Sequence, residues 1–129
     1  MVINLAGKSV NCRYTRRNRD EIYRSRIETT RALREAIADA AAPPPLWLNA
    51  STATIYRHAI DRAQDERSGE IGEGFSVDVA RDWEAELFAG ELPRTRRVSL
   101  RMAIVLGDGP ANDLLFRLAR IGLGGPQFD

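Results

Sequence analysis

Leu46-Trp47-Leu48-Asn49-Ala50-Ser51-Thr52-Ala53-Thr54-Ile55-Tyr56 is the stretch whose reading decides the fold. Pro43-Pro44-Pro45 stands before it and stops any helix arriving from upstream. Leu46 to Ser51 therefore reads as a short strand buried on both faces, as strands of parallel sheets are. Upstream, Val2-Ile3-Asn4-Leu5-Ala6 is a second apolar run of this kind, stopped by Gly7. Between the two, Ile27, Thr30, Leu33, Ile37 and Ala41 recur at steps of three and four. Alanines at 36, 38, 40, 41 and 42 add helix propensity, so the spacing predicts a helix over 17–41.

Downstream, residues 57–74 carry no apolar period and read as a long loop. Val79, Ala80, Trp83, Leu87 and Phe88 share one face of a helix predicted over 76–89 and ended by Gly90. Val98, Leu100, Met102 and Ile104 alternate with their neighbours, which predicts a strand over 98–105 stopped by Gly107-Asp108-Gly109-Pro110. A last helix is predicted over 111–121, before Gly122-Leu123-Gly124-Gly125-Pro126. The order β-α-β-α-β-α implies a small parallel sheet with right-handed crossovers.

The chain has 129 residues, 43% apolar and 29% charged, which suits one compact domain. No apolar run approaches the roughly 18 residues of a membrane span, and no leader pattern opens the chain, so a cytoplasmic setting without membrane partners is expected. A single cysteine, Cys12, excludes an internal disulfide framework and a thiolate zinc cluster. His58 is the one histidine, so no site can use two imidazoles, and no metal site is expected. Cys12 has no base beside it in sequence and reads as a bystander.

Lys8 is the one lysine among 18 arginines. Eight arginines stand against three acids from Arg13 to Arg34, and ten acids against three arginines from Asp61 to Glu91. These runs read as complementary solvated faces. The other reading is a non-catalytic interaction module whose arginines bind nucleic acid or protein partners. A net charge of +1 and few interleaved aromatic residues disfavour nucleic acid. Asp82, Glu84 and Glu86 on one helix read as ordinary solvated acids.

Ligands of parallel α/β sheets sit beyond the carboxyl ends of the strands. Those ends bring forward Ala6, Gly7 and Lys8 after the first strand, and Ala50, Ser51, Thr52 and Thr54 at the second. Gly7 has no side chain to hold a flat ring away from the backbone, and the hydroxyls can hold a substrate oxygen.

At these same residues the chain resembles a known family. Asn4-Leu5-Ala6-Gly7 looks like the end of the fourth strand of short-chain dehydrogenases/reductases. Asn49 to Tyr56 resembles the fifth-strand motif of the extended branch, the sugar-nucleotide epimerases. With Asp82-Trp83-Glu84, Arg101 to Gly107 and Gly122 to Pro126, the pattern is similar to the atypical epimerase-family proteins, putative nucleoside-diphosphate-sugar epimerases.

That resemblance implies a partial Rossmann-like three-layer α/β fold, a single NAD(P)-binding domain over 1–129 holding the fourth to sixth strands of the full fold. It implies NAD or NADP as cofactor and a sugar-nucleotide-like substrate. Thr52, with Ser51, falls at the catalytic Ser/Thr position, Ala6 and Gly7 fall near the nicotinamide ribose, and Lys8, Ala50 and Ser51 join them as cofactor-binding residues. Two departures accompany it. The Gly-rich phosphate loop has no counterpart, so the N-terminal phosphate-binding half and a C-terminal substrate domain are expected to be missing. The catalytic Tyr and Lys positions hold Ser76 and Ala80. Tyr56 is the one nearby phenol that could replace the acid, although packing is its simpler role. The chain is accordingly expected to bind NAD(P) negligibly by itself and to be inactive. An unpaired apolar edge at Val2 to Ala6 further implies a homodimer or higher oligomer.

Overall fold

The computed structural model describes residues 1–103 and 110–123. Three parallel strands, β1 (Val2–Asn4), β2 (Leu46–Thr52) and β3 (Arg96–Met102), lie in the order β1-β2-β3. Helix α1 (Arg16–Asp39) connects the first pair and α2 (Phe75–Phe88) the second, and α3 (Pro110–Arg120) follows. The sequence expectation of a small parallel α/β sheet holds. Ile104, Val105, Gly107 to Gly109 and Gly124 to Pro126 lie outside the described residues.

Boundaries move for local reasons. β1 ends at Asn4 rather than Ala6 because the Asn4 side-chain oxygen accepts from Ala6 N at 3.1 Å and turns the chain out of the sheet. Thr15 caps α1 by accepting from Asn18 N at 3.2 Å. β3 starts at Arg96, whose N–H reaches Pro45 O at 2.9 Å. A 3-10 turn, Ala53–Ile55, precedes the 57–74 stretch read as a long loop, and that stretch closes on itself. Tyr56 bridges Ile71 in antiparallel fashion, and Arg57 N reaches Glu70 O at 2.8 Å. Arg57 and Arg62 ion-pair with Glu70, and Asp65 Oδ1 accepts from Ser68 N at 2.7 Å. Polar contacts hold this segment, so apolar periodicity had nothing to reveal.

α1 and α2 pack together on one sheet face. Ile37, Trp47 and Leu87 form one buried cluster there, and Ile27, Ala50 and Trp83 another. Side chains alternate along a strand, so Ile3, Leu48, Val98 and Leu100 point away from the face that carries Val2, Trp47, Asn49 and Ser51.

The covered face is less apolar than a parallel sheet usually is. Asn4 Nδ2 donates to Asn49 Oδ1 at 2.7 Å and lies 3.4 Å from Thr30 Oγ1. Thr30 Oγ1 also accepts from Trp83 Nε1 at 2.9 Å. One buried chain of hydrogen bonds thus ties β1, β2, α1 and α2 together. Buried donors stripped of their acceptor are costly. Replacing Thr30 with Val keeps its shape, orphans Trp83 Nε1, and is expected to lower stability by about 1–3 kcal/mol. The shift in the urea unfolding midpoint measures it, and an unchanged midpoint contradicts the tie.

Candidate functional site

A cavity of about 340 Å³ opens beyond the carboxyl ends of β1 and β2. Leu5, Ala6 and Gly7 form one side of it, and Ala50, Ser51, Thr52 and Thr54 another. α1 contributes Ile22 and Arg26, and α2 contributes Phe75, Ser76, Val79, Ala80 and Trp83. Six of the residues expected from sequence meet here, namely Ala6, Gly7, Ala50, Ser51, Thr52 and Thr54. Ser76 and Ala80, at the positions where the resemblance expects Tyr and Lys, also line it.

Lys8 and Tyr56 do not line the cavity. Lys8 Nζ pairs with Glu21 at 2.6 Å, and the Tyr56 hydroxyl accepts from Arg101 Nη1 at 2.7 Å. The Tyr56 ring lies under that guanidinium, 5.1 Å from centroid to Cζ. Thr52 Oγ1 accepts from Thr54 N at 3.2 Å, caps the 3-10 turn, and lies 2.9 Å from Thr54 Oγ1 in a hydroxyl pair in which either can donate. Ser51 differs, because its hydroxyl donates to Glu84 Oε1 at 2.7 Å. Of the two hydroxyls, Thr52 is therefore the one not committed to a carboxylate.

The reading of Asp82, Glu84 and Glu86 as merely solvated acids needs correction. Positions 82 and 86 are one turn apart and face α1, whereas 84 faces the sheet. Asp82 accepts from the Tyr23 hydroxyl at 2.9 Å, and Glu86 pairs with Arg31 at 3.0 Å and Arg34 at 3.1 Å. Glu84 accepts from Arg101 Nη2 at 2.7 Å, Arg101 Nε at 2.9 Å and Ser99 Oγ at 3.0 Å, beside Ser51. Cys12 is half-buried with its Sγ 3.8 Å from Ser9 O, and His58 is exposed.

Burial opposes charge on Glu84, but the hydrogen bonds from Arg101, Ser51 and Ser99 outweigh it and hold its carboxyl below the ordinary 4.5. A carboxyl lowered in the folded state stabilises the fold above its unfolded pKa, and that stability drains as pH falls through the folded value. Glu84→Gln is expected to weaken the protein at pH 7 by about 1–3 kcal/mol, since a partly buried Arg101 loses its carboxylate. On going from pH 7 to an acidic pH below the ordinary 4.5, the same variant loses less stability than the parent, which begins to protonate Glu84 there. Urea midpoints at both pH values check the sign, and parallel pH slopes contradict it.

Sequence reasoning missed Arg26, Phe75, Ser76 and Trp83 as cavity walls. The signal for Arg26 existed. Ile22, Arg26, Thr30, Leu33 and Ile37 follow at steps of four and three, so an arginine occupies the stripe that packs inward. Its Nη1 donates to Lys8 O at 3.2 Å and Ile22 O at 3.0 Å, and its Cζ lies 5.1 Å from the Trp83 ring centroid. Burial pushes its pKa down.

No protein-family model matches the chain. It is 35% identical over 132 residues to the epimerase family protein SDR39U1 of Mus musculus, covering 98% of this chain and 44% of the mouse protein. To the epimerase family protein YfhF of Bacillus subtilis it is 32% identical, covering 95% of this chain and 41% of that one. A crystal structure of the human epimerase family protein SDR39U1 (isoform 2) with NADPH superposes with a TM-score of 0.84 at 32% identity. That superposition covers 96% of this chain and 43% of the human one. Sequence and fold agree along nearly the whole chain: it belongs to the epimerase family of atypical short-chain dehydrogenases/reductases, and it spans a little over two fifths of these relatives' length.

Proposed function

We propose that the strand-end cavity is the nicotinamide side of an NAD(P) site serving an NAD(P)-dependent, epimerase-type reaction on a sugar-nucleotide-like molecule. The convergence of Ala6, Gly7, Ala50 and Thr52 on one cavity carries this reading. The NADPH in the human relative's structure supports the choice of cofactor.

The residues fit one part of that cofactor and not another. Ala6 and Ala50 suit a flat ring and its ribose lying against backbone, while the side-chain space at Gly7 is taken by the Arg26 guanidinium. Among the described residues no Gly-rich turn joins a strand to a helix N-terminus, the usual cradle for a pyrophosphate. When bound, the cofactor supplies hydride exchange. Thr52 would donate its hydroxyl proton to a substrate oxygen, while Phe75, Val79 and Trp83 exclude water from one side. Ser76 and Ala80 can neither take nor give a proton near neutral pH, so this chain alone is read as binding the cofactor without turnover. Tyr56, held by Arg101 outside the cavity walls, serves in this reading to fix the Arg101–Glu84 pair.

The alternative of an arginine face for nucleic acid is weakened by ion pairs. Arg17, Arg24, Arg31 and Arg34 are engaged by Glu21, Glu28 and Glu86, leaving fewer cations for phosphates. Self-association has more support: among the described residues β1 has a neighbour on one side only, with Ile3 and Leu5 exposed beside it.

An NMR titration of the 129-residue chain with NADPH is expected to move the amides of Gly7, Ala50, Thr52 and Ser76, with Kd of about 1 mM. Binding tighter than about 10 μM overturns the weak-cradle argument, and unmoved amides overturn the site itself. Light scattering is expected to give at least twice 14.4 kDa, and a clean monomer overturns the self-association.

A further inference from the structure

Arg26 differs from its ion-paired neighbours on α1. Arg17, Arg24, Arg31 and Arg34 each hold a glutamate, whereas Arg26 has no carboxylate partner among the described residues. Backbone carbonyls of Lys8 and Ile22 fix its Nη1, and the Trp83 ring supports its guanidinium. Nε and Nη2, the edge that matches two oxygens at once, make no hydrogen bond among the described residues. The group stands in the wall of the cavity, with Gly7 against it. A Cβ at Gly7 would meet the guanidinium at 3.2–3.4 Å, so the absence of a side chain there gives Arg26 its room. A half-buried cation without a counter-charge is unfavourable unless something anionic joins it.

We propose that Arg26 is the anion-recognising residue of the cavity, and that the substrate presents a carboxylate or phosphate to its Nε and Nη2. The inference deepens the reading above and rests on it for calling the cavity a substrate site. A planar pair of oxygens meets the guanidinium bidentately, and the apolar body of the ligand lies toward Phe75, Val79 and Leu5. Thr52 and Thr54 remain as hydroxyls on the opposite side. Lowering of the Arg26 pKa by burial agrees with a charge held out of water.

Three small probes separate the possibilities: benzoate, its neutral isostere benzamide, and phenyl phosphate. Each is titrated into the full chain while NMR follows the Gly7 amide and the Trp83 indole N–H, the latter identified by its bond to Thr30. The better of the two anions is expected to bind at least about tenfold tighter than benzamide. A larger response to phenyl phosphate assigns the anion as a phosphate ester, and a larger one to benzoate as a carboxylate. Arg26→Gln is expected to erase the preference, and Arg26→Lys to keep it in weakened form. Gly7→Ala crowds the guanidinium at a position without positive φ and is expected to weaken the anions more than benzamide.

Equal binding of all three probes, absence of any response, or a preference that survives Arg26→Gln overturns the proposal. If Arg26→Gln does not fold, the parent's own discrimination and Gly7→Ala decide it. NADPH leaving the cavity unmoved while benzoate discriminates would sink the cofactor reading alone. NADPH binding without any anion preference would sink this inference alone.

Discussion

The hydrogen bond between Asn4 and Asn49 is the contact on which the rest depends. It crosses from the edge strand to the central one inside a parallel sheet, where a bare amide would be expensive. Asn4 and Asn49 are register partners, so the bond fixes how far β1 slides along β2. Thr30 joins from α1, and Trp83 joins from α2 by donating to Thr30. Two helices are thereby placed by a polar thread as well as by apolar contact. The same Trp83 then forms a wall of the cavity and a platform for Arg26. A fault in the thread would reach the site without touching any residue that lines it, except Trp83.

Much of the fold was legible because its determinants are local. The steps of three and four from Ile27 to Ala41 located α1, and Pro43-Pro44-Pro45 closed it. β2 was legible as a short, largely apolar run set off by the prolines before it. β1 was legible in kind but not in length, because Asn4 turns the chain with a side-chain bond that no hydropathy pattern records. The 57–74 segment was illegible beyond its polarity. Its order comes from Arg57, Arg62 and Glu70, whose pairing depends on a fold-back that apolar spacing cannot announce.

The site divides in the same way. Ala6, Gly7, Ala50, Ser51 and Thr52 follow from one rule about strand ends, and they meet in one cavity. Residues from helices do not follow from that rule, since their contribution depends on how α1 and α2 cross the sheet. Ser76, Val79 and Trp83 reach the cavity because α2 begins at Phe75 beside it. The acids of α2 teach a related point. Three carboxylates at alternate positions look alike in sequence, yet a helix turns 84 toward Ser51, Ser99 and Arg101 while 82 and 86 meet α1. The complementary charge runs are therefore partly neutralised within the molecule.

What separates structural from functional charge in this chain is how each is compensated. Glu84 is half-hidden and fully answered: two nitrogens of Arg101 and two hydroxyls meet it. Glu86 has two guanidinium partners. Charges satisfied in this way need nothing further, and their lowered pKa values report stability. Among the described residues Arg26 is compensated by carbonyl dipoles and an aromatic face, both weaker than a carboxylate, and it stands in a cavity wall. Local consistency holds everywhere else along the buried stripe of α1, where Ile22, Thr30, Leu33 and Ile37 all match their surroundings. A position that breaks the pattern on an inward face, beside a glycine that makes way for it, is where a fold keeps chemistry for something it does not itself contain.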